Sequence, residues 1–159
     1  MTQPTEDPSA EDIASWHRTM AQLAFNHAWE LLDANDLTRE EEEEMLAATF
    51  ASRYHWYQVG TERNRAIADW QVSRVAVVLG YADLGRRFGE RSLELAIEYD
   101  LDPFVEGFAH EAIARAAAEV DDVETFTEHL ELARSALAAV EDDGERDILQ
   151  ADLAEMSER

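Results

Sequence analysis

Cysteine and lysine are both missing from this chain of 159 residues, and proline (three) and glycine (six) are scarce. The absence of cysteine excludes disulfides, thiolate metal sites and a thiol nucleophile. The absence of lysine leaves every fixed positive charge to 13 arginines, set against 36 aspartates and glutamates, for a net charge of −23. Phosphate backbones and anionic bilayers are held through cationic side chains, so neither nucleic acid nor a membrane is expected as a partner. Long apolar runs are missing as well, and none approaches the roughly 18 to 20 residues that cross a bilayer. The opening residues MTQPTEDPSAED have neither the basic nor the apolar region of a secretory signal. A soluble, cytoplasmic protein is expected.

With few breakers, what remains is a succession of helical patterns. One domain is expected at this length, large enough to bury about two-thirds of its unfolded surface. Residues 1–9 read as a disordered leader and residues 10–159 as a single helical-repeat domain. Ser9 can cap a first helix, with Glu11 and Asp12 facing the positive end of its dipole. Ile13, Trp16, Met20, Leu23, Ala24, His27 and Leu31 recur largely at spacings of three and four, which predicts one buried stripe ending near Asp33.

Thr38 opens a second helix, with Glu41 placed for a capping box. The run Glu40 to Glu44 complements the helix dipole; five consecutive positions cannot converge on one calcium ion. Met45, Leu46, Thr49, Phe50, Arg53, Trp56 and Tyr57 carry this helix to Gly60, expected as a left-handed C-cap. A third helix is expected from about Glu62 to Leu84. An antiparallel turn at Gly60 would set Trp56 opposite Asn64, Arg53 opposite Ile67 and Phe50 opposite Trp70.

Leu93-Glu94-Leu95-Ala96 returns as Leu130-Glu131-Leu132-Ala133, an offset of 37, within the range of helical-hairpin repeats. Asp102-Pro103 combines an N-cap with a proline at the first helical position. The helices of this hairpin are expected to about Val120 and from Val123 to Val140. A final helix with Ile148, Leu149, Leu153 and Met156 has the character of a solenoid cap. The fold class is therefore all-α: about seven helices as antiparallel hairpins plus a C-terminal capping helix.

The segment Leu79-Gly80-Tyr81-Ala82-Asp83-Leu84-Gly85, followed by Leu95-Ala96, resembles the tetratricopeptide repeat. It departs from that pattern in two places: the signature tryptophan is displaced, Trp70 lying nine residues before Leu79, and the repeat proline is absent. More broadly, the run from AWELLD at Ala28 through ASRYHW and WQVSRV to VLG is similar to a family of small prokaryotic tetratricopeptide-like proteins with no assigned activity. The similarity spans about residues 26–140. It implies an α-α superhelix and carries no chemistry with it.

Catalytic patterns are weak. None of His17, His27, His55, His110 and His129 has a glutamate three residues before it, so the Glu-x-x-His pair of di-iron bundles is missing. His110-Glu111 is followed by Ala114 where a zincin needs histidine. Gly80 to Gly85 has phosphate-loop spacing but lacks the lysine and hydroxyl that engage phosphate and magnesium. Ser52, Ser73, Ser92 and Ser135 have no elbow-like glycine context. Glu106 and His110 share a helix face, a lone pair of would-be metal ligands. Neither a cofactor nor a metal is expected, and the chain is not expected to be an enzyme. The alternative is a metal-binding or hydrolytic enzyme built from dispersed histidines and carboxylates.

One stretch stands out. From Met45 to Ala82 the charges are Arg53, Arg63, Arg65 and Arg74 against Glu62 and Asp69, a balance of +2, which leaves −25 for the rest. Within it Arg53, His55, Arg65 and Arg74 are candidate donors of a groove walled by Trp56, Tyr57 and Trp70. Arginine forks grip carboxylates and stack on aromatic faces. The expected role is an interaction scaffold for a protein or an acidic peptide, or for a small anionic ligand. Exposed apolar helix faces would allow a homodimer.

Overall fold

The structure is a computed structural model that describes residues 7–157. Among them lie seven helices and no strand: α1 (Ala10–Leu32), α2 (Arg39–Val59), α3 (Glu62–Val78), α4 (Ala82–Glu98), α5 (Pro103–Ala118), α6 (Val123–Ala139) and α7 (Asp143–Ser157). Six residues of the expected leader lie outside the described residues. No described helix is long and apolar enough to cross a membrane.

The helix starts follow from side-chain chemistry. Ser9 and Asp12, Thr38 and Glu41, and Thr61 and Asn64 each form a reciprocal capping box at the starts of α1, α2 and α3, which satisfies amides that would otherwise lack partners. Asp102 accepts from the Val105 amide at 3.2 Å, ahead of Pro103. Asp122 does the same for Thr125 at 3.1 Å.

The helices pack pairwise as hairpins, α1 with α2, α3 with α4 and α5 with α6. Successive hairpins join where α2 meets α3 and α4 meets α5, and α7 closes the array against α5 and α6. The arrangement is that of an all-α helical-repeat superhelix. Buried serine hydroxyls fasten the pairs: Ser52 donates to the Ala21 carbonyl at 2.9 Å, Ser73 to Gly85 at 2.6 Å and Ser92 to Ala66 at 2.8 Å. The core is centred on α3 and α5. Alanine is frequent there, which lets neighbouring backbones approach on several sides, and α5 is buried from Gly107 to Ala117.

Several expectations change. The third helix does not reach Leu84; it stops at Val78, where Gly80 takes φ +81° and the Tyr81 amide turns back to the Ala76 carbonyl at 2.8 Å. Gly60 is not left-handed but extended (φ −77°, ψ 162°), because Thr61 immediately caps the next helix. Glycine is needed there for proximity, since an added Cβ would stand 2.6 Å from the Trp56 carbonyl oxygen. The α1 stripe is also misplaced. Its buried positions are Ala21 and Ala28, while Ile13, Trp16 and Leu23 face solvent, because only small residues fit the close seam with α2.

The repeat register shifts as well. From α3 to α5 the helix starts move from Glu62 to Pro103, and from α4 to α6 from Ala82 to Val123, 41 residues each time. The same step carries left-handed Gly80 onto left-handed Asp121, and the Tyr81-to-Ala76 turn onto the Asp122-to-Ala117 turn. The offset of 37 read from the Leu-Glu-Leu-Ala match is short by four, close to one helical turn, so it preserved the face while missing the register.

Candidate functional site

The arginine and aromatic residues of the Arg53–Tyr81 stretch are distributed over separate neighbourhoods. The first surrounds Asp69, fully buried on α3. Arg53 of α2 donates through Nε to one carboxylate oxygen, and the Tyr57 hydroxyl donates to the other at 2.5 Å. Arg91 of α4 stands 3.9 Å away. The Arg53 guanidinium also lies over the Tyr57 ring, 4.1 Å from its centroid, with Arg65 at 5.6 Å from the same ring. Burial pushes the Asp69 carboxyl up, opposed by the hydrogen bonds from Tyr57 and Arg53. Burial, followed by the Asp69 hydrogen bond, likewise raises the Tyr57 phenol.

The second neighbourhood surrounds Glu111, fully buried on α5. Its oxygens accept from Trp70 Nε1 at 3.2 Å, Arg74 at 3.3 Å and Arg115 at 2.5 Å. Arg74 also reaches Asp152 of α7 at 3.7 Å. Arg74 and Arg115 are related by the 41-residue repeat, so equivalent arginines of two hairpins share one carboxylate. Trp70 and Arg74 are thus held by an internal ion network, and Trp70 turns its ring the other way, toward Trp29 (5.5 Å between centroids) and Phe108 (4.8 Å).

That ring forms one wall of a cavity of about 280 Å³ lined by Phe25 and Trp29 of α1, Ile67 and Trp70 of α3, Ser92 of α4, Phe104, Val105 and Phe108 of α5, and Ile148 of α7. Its one hydroxyl, that of Ser92, is committed to the Ala66 carbonyl. Phe25 and Ile67 also border a second cavity of about 390 Å³, whose other walls are Gln22, Asn26, Trp56 and Asn64. The two chambers share those walls and lie along the first helices of the hairpins. No charged side chain lines either of them.

A polar cavity of about 410 Å³ lies elsewhere, between α2 and α4, lined by Arg53, Arg87, Phe88, Glu90, Arg91 and Glu94. Arg53 stands 5.1 Å and Arg87 5.9 Å from the centre of the Phe88 ring. Arginines of α4, outside the stretch singled out from the sequence, complete this site.

His55 belongs to none of these. Its Nδ1 meets His17 Nδ1 of α1 at 2.7 Å, and His110 and His129 repeat the arrangement between α5 and α6 at 2.9 Å. In each pair one imidazole must donate and the other accept. Burial, then the neighbouring His129, depresses His110 to about 4. His110 Nε2 is 3.9 Å from Glu106. Among the described residues no group of three or more His, Asp or Glu side chains converges to hold a metal ion.

Of the seven expected site residues, the structure brings Arg53, Tyr57 and Arg65 together, places Trp56 and Trp70 on the walls of the adjoining chambers, fixes Arg74 on Glu111 and sends His55 to the far seam with α1. Sequence reasoning missed Phe25, Trp29, Phe104 and Phe108. Their i, i+4 spacing in two different helices was the available signal, and it became meaningful only once the helices were seen to face each other.

No family model matches the chain, and no curated protein matches it.

Proposed function

We propose that this chain is a non-catalytic binding module of the tetratricopeptide-like kind, whose inner face receives the apolar part of its ligand between the first helices of the hairpins. The observation that carries this reading is the pair of adjoining chambers walled by Phe25, Trp29, Trp56, Ile67, Trp70 and Phe108. Ligand sites are concave and mainly apolar, with a few polar groups to orient the guest, and the lining has that character. Trp70 is fixed from behind by Glu111, so this wall is organised before a ligand arrives, which lowers the ordering cost of binding.

The test is Nile red emission. The parent protein is expected to shift the dye to the blue with saturable binding. Ile148→Asp places a charge in the chamber wall from a side chain that is 57% exposed, so it should abolish the shift while leaving helicity intact. Equal binding by parent and variant would refute the site.

A second reading follows from the polar cavity, where Arg53, Arg87 and Arg91 surround Phe88. It suits an acidic peptide, since guanidinium groups can grip carboxylates. Binding of a glutamate-rich peptide that disappears in Arg87→Ala with Arg91→Ala would favour this cavity over the apolar chambers. Unchanged binding would remove it.

A further inference from the structure

Resting on the apolar chambers as the binding site, we infer that the ligand is a small neutral amphiphile, a hydrocarbon or ring body ending in an uncharged hydrogen-bonding head. The inner chamber takes the body: its walls are aromatic and aliphatic, and Ser92, its one polar residue, has its hydroxyl engaged by the Ala66 carbonyl. An unmatched polar group buried there would lose its water without compensation. The outer chamber takes the head, because Gln22, Asn26 and Asn64 present amides at its wall. Asn64 Oδ1 is occupied as the cap of α3, accepting from the Thr61 amide and hydroxyl at 3.0 Å, which leaves its NH2 to donate. Primary amides both donate and accept, the chemistry that suits a hydroxyl or an amide head.

Charge decides against an ionic head. Beside the inner chamber, Arg63 lies 5.8 Å from the centre of the Phe104 ring and is committed to Asp102 at 2.7 Å and Glu145 at 2.9 Å. A carboxylate head would find no cation among the lining residues and would enter the field of a protein of net charge −23. A cationic head would meet amides rather than carboxylates in the lining. The neutral head is the one that the chambers match.

The experiment is paired titration with n-decanol and decanoate, followed by emission from the wall residues Trp29, Trp56 and Trp70. The alcohol is expected to bind saturably and decanoate roughly tenfold more weakly or worse at low ionic strength. Ile67→Trp should block both by filling the wall shared by the chambers. Asn26→Leu, at an exposed position, should weaken the alcohol severalfold with the fold unchanged, which keeps the test valid if Ile67→Trp folds poorly. Decanoate binding as tightly as the alcohol would overturn the neutral head while leaving the chambers as the site. Saturable binding of neither, or binding indifferent to both substitutions, would overturn the chambers themselves.

Discussion

Helices α1 and α5 hold equivalent places, each the first helix of a hairpin, yet α5 is buried along nearly its whole length while α1 buries only Ala21 and Ala28. The difference lies in their neighbours. α5 is enclosed by α3, α4, α6 and α7, whereas α1 packs along α2 and meets α3 only locally, where Gln71 donates to the Phe25 carbonyl at 3.0 Å and Trp70 faces Trp29. Enclosure forces polar residues of α5 to find partners inside the protein, and Glu111, Arg115 and His110 do so through ion pairs and a paired imidazole. Openness leaves α1 free to show Ile13, Trp16 and Leu23 to solvent while Phe25 and Trp29 line the chambers. Enclosed α5 is therefore built for stability, and the open edge helix α1 supplies much of the binding wall.

The largest test of this contrast is Glu111→Ala. Removing a fully buried carboxylate leaves Arg115, which is only 4% exposed, with Glu155 at 3.7 Å as its remaining carboxylate, and should cost about 3–5 kcal/mol in denaturant unfolding. Asp69→Ala should cost less, about 2–3 kcal/mol, because Arg53 has a partly open position from which to reach water. A larger loss at Asp69 would reverse the ranking of the two networks.

Acid offers a third test. With His110 held near 4 in the fold and at its ordinary value of 6.5 when unfolded, unfolding takes up protons. Stability from this group is complete above about pH 6.5 and is lost as pH falls toward 4. Burial lowers His129 too, in the same sense, while Asp69 and Asp152, both raised by burial, act the opposite way. Melting temperature is expected to fall between pH 6.5 and 4.5, and His110→Gln should flatten that slope. A parent melting temperature that rises over this interval would contradict the assignment.

The smallest effect belongs to the open edge. Trp16→Ala on α1 should change stability by no more than about 0.5 kcal/mol, although tryptophan at helical spacing suggested a buried stripe. A loss comparable to that at Asp69 would mean that α1 is as enclosed as α5.

The fold was largely legible from local chemistry. Ser9, Thr38 and Asp102 marked helix starts because caps act within one turn, and the all-α hairpin order followed from the spacing of breaks. What resisted reading depended on neighbours distant in sequence. Gly80 was hidden within an apolar run, so the third helix was carried on to Leu84, past the turn that ends it at Val78. α5 has no polar face to set its phase, since every side meets another helix. For the site, Arg53 and Tyr57 stood among the expected groove residues without being paired, and the direction of each arginine was set by carboxylates, Asp69 and Glu111, whose burial no local pattern announces. Phe25 and Trp29, and Phe104 and Phe108, carried an i, i+4 signal that acquires meaning only when α1 and α5 are seen to face one cavity.

Amide hydrogen exchange of the parent protein, with and without saturating n-decanol, tests the central claim most directly. The account predicts slowed exchange in residues 22–29 of α1 and 64–70 of α3, the walls of the adjoining chambers. Slowing confined to residues 87–94 of α4, or none in either set, would contradict it.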